Sequence, residues 1–128
     1  MTWTRIRIEL ARGHDFPSGS TRHGYEMVLP LLDDGRIDEK TLKATPEPAT
    51  VHRFWEGEGD ATGQIRHQHG RWLIAYDPGG PTDEPLHRFG EHKFRLDEYV
   101  SVGEGARAEH AFKVVSVRPA PGLSTQKR

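Results

Sequence analysis

Glycine and proline break this chain so often that no long apolar-periodic segment survives between them: Gly 14 and Pro 9 fall among 128 residues. A doubly wound nucleotide-binding domain or a helical bundle needs such segments, and a membrane helix needs roughly 20 consecutive apolar residues. All three are excluded. What remains is a fold of short elements joined by turns, and its core must be thin, because only 34% of the residues are hydrophobic. A chain of this length is one compact domain.

Trp3 to Leu10 reads W-T-R-I-R-I-E-L, with Ile6, Ile8 and Leu10 on one face and Arg5, Arg7 and Glu9 on the other. That period of two is a half-buried strand. Ala11 to Gly24 is a breaker-rich loop and a place to look for function. Tyr25 to Leu32 reads as an interior strand in which Pro30 marks an edge or a bulge. Asp38 is placed to cap a short helix through Lys43, and Thr45-Pro46-Glu47-Pro48 ends it. Further strands are expected at Thr50 to Glu56, at Gln64 to His69 and Arg71 to Asp77 around a tight turn at Gly70, and at Leu86 to Phe89, His92 to Leu96, Tyr99 to Val102 and Ala111 to Val117. Short strands at this spacing indicate an all-β fold, a small partly open barrel of six to eight strands with at most one short helix. The expected domain is 1–117, with a flexible tail at 118–128.

The chain has eight His and no Cys, so any metal site must rest on imidazoles and carboxylates. Four of the His stand two residues before a Phe: His52, His87, His92 and His110. On a strand such pairs share a face, so a His would sit one step from a core Phe, near the rim. Two readings follow. The rings are separate strand-end residues bonded to backbone and water, or several converge at a barrel mouth and line a ligand pocket with Trp55 and Trp72. His67-Gln68-His69 is the best local metal signal, because H-x-H on a strand aims both rings to one side. Leu73 and Ile74, however, stand where a cupin-like site would place its carboxylate. Which cofactor, if any, the chain takes is left open by the sequence.

Eighteen basic residues against 19 acidic ones give no overall field for nucleic acid. Arg53 with Trp55 and Arg71 with Trp72 still offer the cation-and-ring pairs by which single strands are held. Gly13 and Gly19, with five residues between them where a phosphate loop has four and no Lys after them, fail as a phosphate loop. The adjacent acids Asp33-Asp34, Asp83-Glu84 and Asp97-Glu98 read as solvated turns. Met1 to Leu10 lacks the apolar run of a secretory signal, so a cytoplasmic address is expected.

At Arg53-Phe54-Trp55, His69-Gly70-Arg71-Trp72, Tyr76-Asp77-Pro78 and Phe94-Arg95-Leu96-Asp97-Glu98-Tyr99-Val100-Ser101-Val102, the chain resembles small uncharacterised bacterial proteins of unknown function. In these a similar F-x-x-G-E-Y-V-S segment precedes a final strand; here Asp97 replaces the Gly. The resemblance implies a β-rich fold and carries no activity. The leading functional expectation is a non-catalytic module that binds a small ligand or a protein, the latter through an exposed sheet edge near Pro30. The alternatives are a metal-dependent enzyme built around His67 and His69, and a single-stranded nucleic-acid binder.

Overall fold

The computed structural model describes residues 1–13, 16–102 and 110–120. Within them eight strands form a single antiparallel sheet: β1 (Thr2–Leu10), β2 (Ser20–Leu31), β3 (Thr50–Trp55), β4 (Ala61–Gln68), β5 (Arg71–Tyr76), β6 (Glu84–Leu86), β7 (Tyr99–Val102) and β8 (His110–Pro119). Their order is β6-β5-β4-β3-β2-β1-β8-β7, and the sheet curls into a nearly closed barrel. The all-β expectation holds.

Alternation along β1 sets the inside of the barrel. Ile6, Ile8 and Leu10 are buried, and the register Ile6↔Met27 and Ile8↔Tyr25 carries the same parity into β2. Facing outward, Arg7 pairs with Glu9 at 2.7 Å and Glu26 at 3.0 Å, and its guanidinium lies 4.2 Å from the centre of the Phe54 ring. Phe89, Phe94 and Phe112 are fully buried in one contiguous apolar cluster that runs from Trp3 to Ala120.

Helix α1 (Glu39–Ala44) forms as its sequence predicts. Asp38 caps it, accepting from the Thr41 backbone N–H at 3.1 Å and the Thr41 hydroxyl at 2.9 Å, and Leu42 anchors it to the core. The β4–β5 turn consists of His69 and Gly70, both left-handed at φ 52° and 76°. Such a two-residue turn matches the twist of an antiparallel pair.

Several expectations are corrected. β2 begins at Ser20 rather than Tyr25, because Gly24 lets the β1 backbone come close: a Cβ there would lie 2.1 Å from the Ile8 carbonyl oxygen. Pro30 is buried, and the side of β2 that β3 leaves there is covered by Ile37 and Asp38, so the expected exposed edge does not lie there; the end strands of the sheet are β6 and β7. β3 leaves β2 after Met27, and the Pro30 carbonyl accepts from the Asp38 N–H at 2.8 Å on that open side, so the missing proline donor breaks no ladder bond. Neither Leu86 to Phe89 nor His92 to Leu96 is the expected strand: β6 ends at Leu86, Arg88 turns left-handed at φ 54° into a 3-10 turn at Phe89–Glu91, and the Phe94 N–H donates to the Gly35 carbonyl. Arg118 and Pro119 belong to β8, and Ala120 is buried with its N–H on the Trp3 carbonyl at 2.9 Å. Residues 121–128 of the expected tail lie outside the described residues, as do His14 and Asp15 in the 11–24 segment.

Candidate functional site

The inward parity set by β1 reaches Arg53 and Trp55 on β3 through the pairs Tyr25↔Arg53 and His23↔Trp55. It reaches Tyr76 on β5 opposite Gly63, and Glu84 on β6 opposite Ile74. These side chains meet at one mouth of the barrel. There they line a cavity of about 630 Å³ together with Val102, His110 and Phe112 from β7 and β8. The volume falls within the range of small-molecule pockets.

Glu84 is the hub of the polar wall. Its carboxylate accepts from the Tyr25 hydroxyl at 3.1 Å on one oxygen and from the Tyr76 hydroxyl at 2.7 Å on the other. Burial pushes both phenols far above their ordinary pKa, and the Glu84 charge adds to the effect; Arg53 beside Tyr25 opposes it only in part. Both therefore remain neutral donors through the physiological range.

Arg53 supplies the opposite charge. Its guanidinium lies 4.6 Å from the centre of the Trp55 ring, and Nη1 donates to Glu58 Oε1 at 3.0 Å. Burial works against this charge, but the Glu58 hydrogen bond and the neighbouring phenols hold its pKa above the usual value. Trp55 is fixed in turn by His23, ring to ring at 4.6 Å, and His23 is held by Ser20 Oγ at 2.6 Å. A permanent cation and a doubly hydrogen-bonded carboxylate thus share one aromatic-walled recess.

Of the four His that precede a Phe, only His110 faces this cavity, with its ring 5.9 Å from that of Trp55. His52 points outward, 2.9 Å from Asp60, because β3 turns its Arg53 and Trp55 side inward and leaves His52 and Phe54 outside. His92 accepts from the Ser101 N–H at 3.3 Å and sits edge-on to Phe89 and Phe94. His87 is exposed on the rim of a different cleft, toward the other end of β5.

That second cleft also holds His67 and Trp72. The two rings stack in parallel, 4.2 Å apart and 4° from coplanar. His67 Nδ1 is buried with no hydrogen-bond partner among the described residues, 3.5 Å from Glu39 Oε1. The expected H-x-H geometry does not form: β4 ends at Gln68, so His69 is an exposed turn residue and not a strand neighbour of His67. Among the described residues no group of three or more His, Cys, Asp or Glu could hold a metal. The two Arg–Trp pairs are also placed unlike each other: Arg53 and Trp55 lie together in the cavity, whereas Trp72 is buried and Arg71 exposed.

The reading of Asp83-Glu84 as a solvated turn is corrected: Glu84 begins β6 and its carboxylate is held by Tyr25 and Tyr76, while Tyr25 carries no motif and Tyr76 only the Tyr76-Asp77-Pro78 resemblance. The one usable signal was parity, since Tyr25 continues the inward side of its strand. No protein-family model matches the chain, and comparisons with curated proteins and with solved structures find no match either. The site stands on its geometry. Among the described residues no helix is long and apolar enough to cross a membrane.

Proposed function

We propose that the protein is a non-catalytic binding module that takes a small ligand into the barrel mouth. The observation that carries this reading is the recess of about 630 Å³ in which Tyr25, Tyr76 and Glu84 form a hydrogen-bonded wall beside the Arg53–Trp55 stack. A few convergent polar groups among aromatic rings are what orients a small molecule. The groups here suit binding better than bond-making: the phenols are held neutral, and the carboxylate is fixed in place by one phenol on each oxygen.

A direct test uses Trp3→Phe/Trp72→Phe protein, in which Trp55 is the remaining indole. A fragment library is screened by fluorescence, and hits are mapped by amide NMR. The expected result is saturable binding that shifts the resonances of Tyr25, Arg53 and Trp55 and is lost in a Trp55→Ala variant. Hits whose shifts map only to the cleft around His67 and leave Tyr25 and Arg53 unmoved would refute the assignment.

A further inference from the structure

The charges in the barrel mouth restrict what it can hold, and the argument rests on the binding reading above. Arg53 is fixed against Trp55 with its side chain only 18% exposed, and its recorded anion is Glu58, itself 58% exposed on the turn after β3. An ion pair reaching into solvent in this way contributes little. A guanidinium, moreover, prefers to engage both oxygens of a carboxylate at once, whereas Glu58 uses one Nη1–Oε1 contact. Glu58 therefore stands where the anionic group of a ligand would compete well.

Glu84 presents the complementary vacancy. A carboxylate offers about four lone-pair positions, and the two phenols take one on each oxygen. Among the described residues no Lys, Arg or His forms an ion pair with it. The Tyr25 hydroxyl donates to Glu84, and Tyr25 pairs across the strands with Arg53 on the same inward side, so the fixed anion and the fixed cation flank one tyrosine at the same mouth.

A purely anionic ligand on Arg53 would be repelled by Glu84, Glu58 and Asp83, which line the same mouth, and a purely cationic one on Glu84 would leave the Arg53 guanidinium with no partner beyond its exposed Glu58 contact. A ligand with both charges on neighbouring atoms satisfies the pair. From this we infer that the barrel mouth is a site for a small zwitterion of the α-amino acid class, with its carboxylate on Arg53, its ammonium on Glu84 and its side chain against Trp55, His110 and Phe112.

The test titrates the twenty free L-amino acids into the full chain by calorimetry and amide NMR, then repeats each hit as its N-acetyl and its methyl ester form. Capping either end of the ligand should weaken binding about tenfold or more, as expected for loss of a hydrogen bond between charged groups. Glu84→Gln should abolish the penalty for N-acetylation and Arg53→Gln the penalty for esterification. Glu58→Gln, on an exposed turn where misfolding is not at issue, should tighten binding several-fold by freeing the guanidinium. Capped forms that bind as well as free ones, or weaker binding in Glu58→Gln, would overturn the zwitterion assignment. Neutral compounds that shift Trp55 with no dependence on Arg53 or Glu84 would overturn it too, while leaving the barrel-mouth reading intact. If neither class perturbs Trp55, both readings fail.

Discussion

Raising the pH through the tyrosine range attacks the Tyr25–Glu84–Tyr76 hub directly. An unfolded tyrosine has a pKa of about 10, whereas burial and the Glu84 charge hold both folded phenols well above it. Below pH 10 the phenols are neutral in both states, and the contribution of the hub is fully present. Above it the unfolded chain releases protons that the folded one retains, so stability falls as pH rises. At pH 11 a phenol that stays fully protonated when folded costs about 1.4 kcal/mol. Tyr25, only 3% exposed, should show the whole effect. Tyr76 is partly exposed and should show about half of that. Together they give a loss of about 2 kcal/mol between pH 9 and pH 11, large against a typical stability of about 5–15 kcal/mol. The assay is urea unfolding followed by tryptophan fluorescence, comparing the wild type with Tyr25→Phe/Tyr76→Phe. Lysine titration affects both proteins alike. The variant should start less stable at pH 8.5 and then decline less steeply, so that the gap narrows by about 2 kcal/mol. Curves that fall in parallel from pH 9 to pH 11 would refute the idea that the hub keeps these phenols neutral.

Two substitutions test the packing around the site. Gly24→Ala places a Cβ 2.1 Å from the Ile8 carbonyl oxygen and 2.9 Å from the Phe54 ring; β1 and β2 must part to admit it. A loss of about 3 kcal/mol is expected in urea, and a loss below about 1 kcal/mol would mean that the strands yield freely. His67→Phe keeps a ring on Trp72 and removes the unpartnered Nδ1. It should raise stability by about 1 kcal/mol; a comparable loss, reproduced by Glu39→Gln, would show instead that Glu39 closes onto the imidazole.

Local chemistry made part of this fold legible. Ile6, Ile8 and Leu10 announced β1, Asp38 announced α1, and Gly70 announced the β4–β5 turn, because each signal acts within a few residues. The failures were tertiary. Gly24 reads as a breaker but serves the close approach of β1, which lies on another part of the chain. The alternation of His92 and Phe94 looks like a strand, yet the Phe94 N–H is claimed by Gly35. The two-residue spacing of His and Phe fixes a shared face without saying which face is inside, so Phe112 enters the core while Phe54 stays outside under Arg7. The site follows the same logic. Arg53 and Trp55 were expected on one side of their strand and are found there, but their meeting with Tyr76 and Glu84 depends on strand order, which no local pattern encodes.

The position of β1 also governs how the barrel is assembled. Ile6 faces Met27 on one side and Val117 on the other. The first pairing is a local hairpin, while the second joins segments far apart in sequence and must await β8. Such non-local closure slows folding to the millisecond-to-second range. Until it occurs, the β8-facing edge of β1 exposes unpaired backbone donors and acceptors beside Ile6 and Ile8, a template for strands of other molecules. Refolding yield should therefore depend on protein concentration far more than native solubility does, and Ile6 and Ile8 mark the segment through which chains would associate.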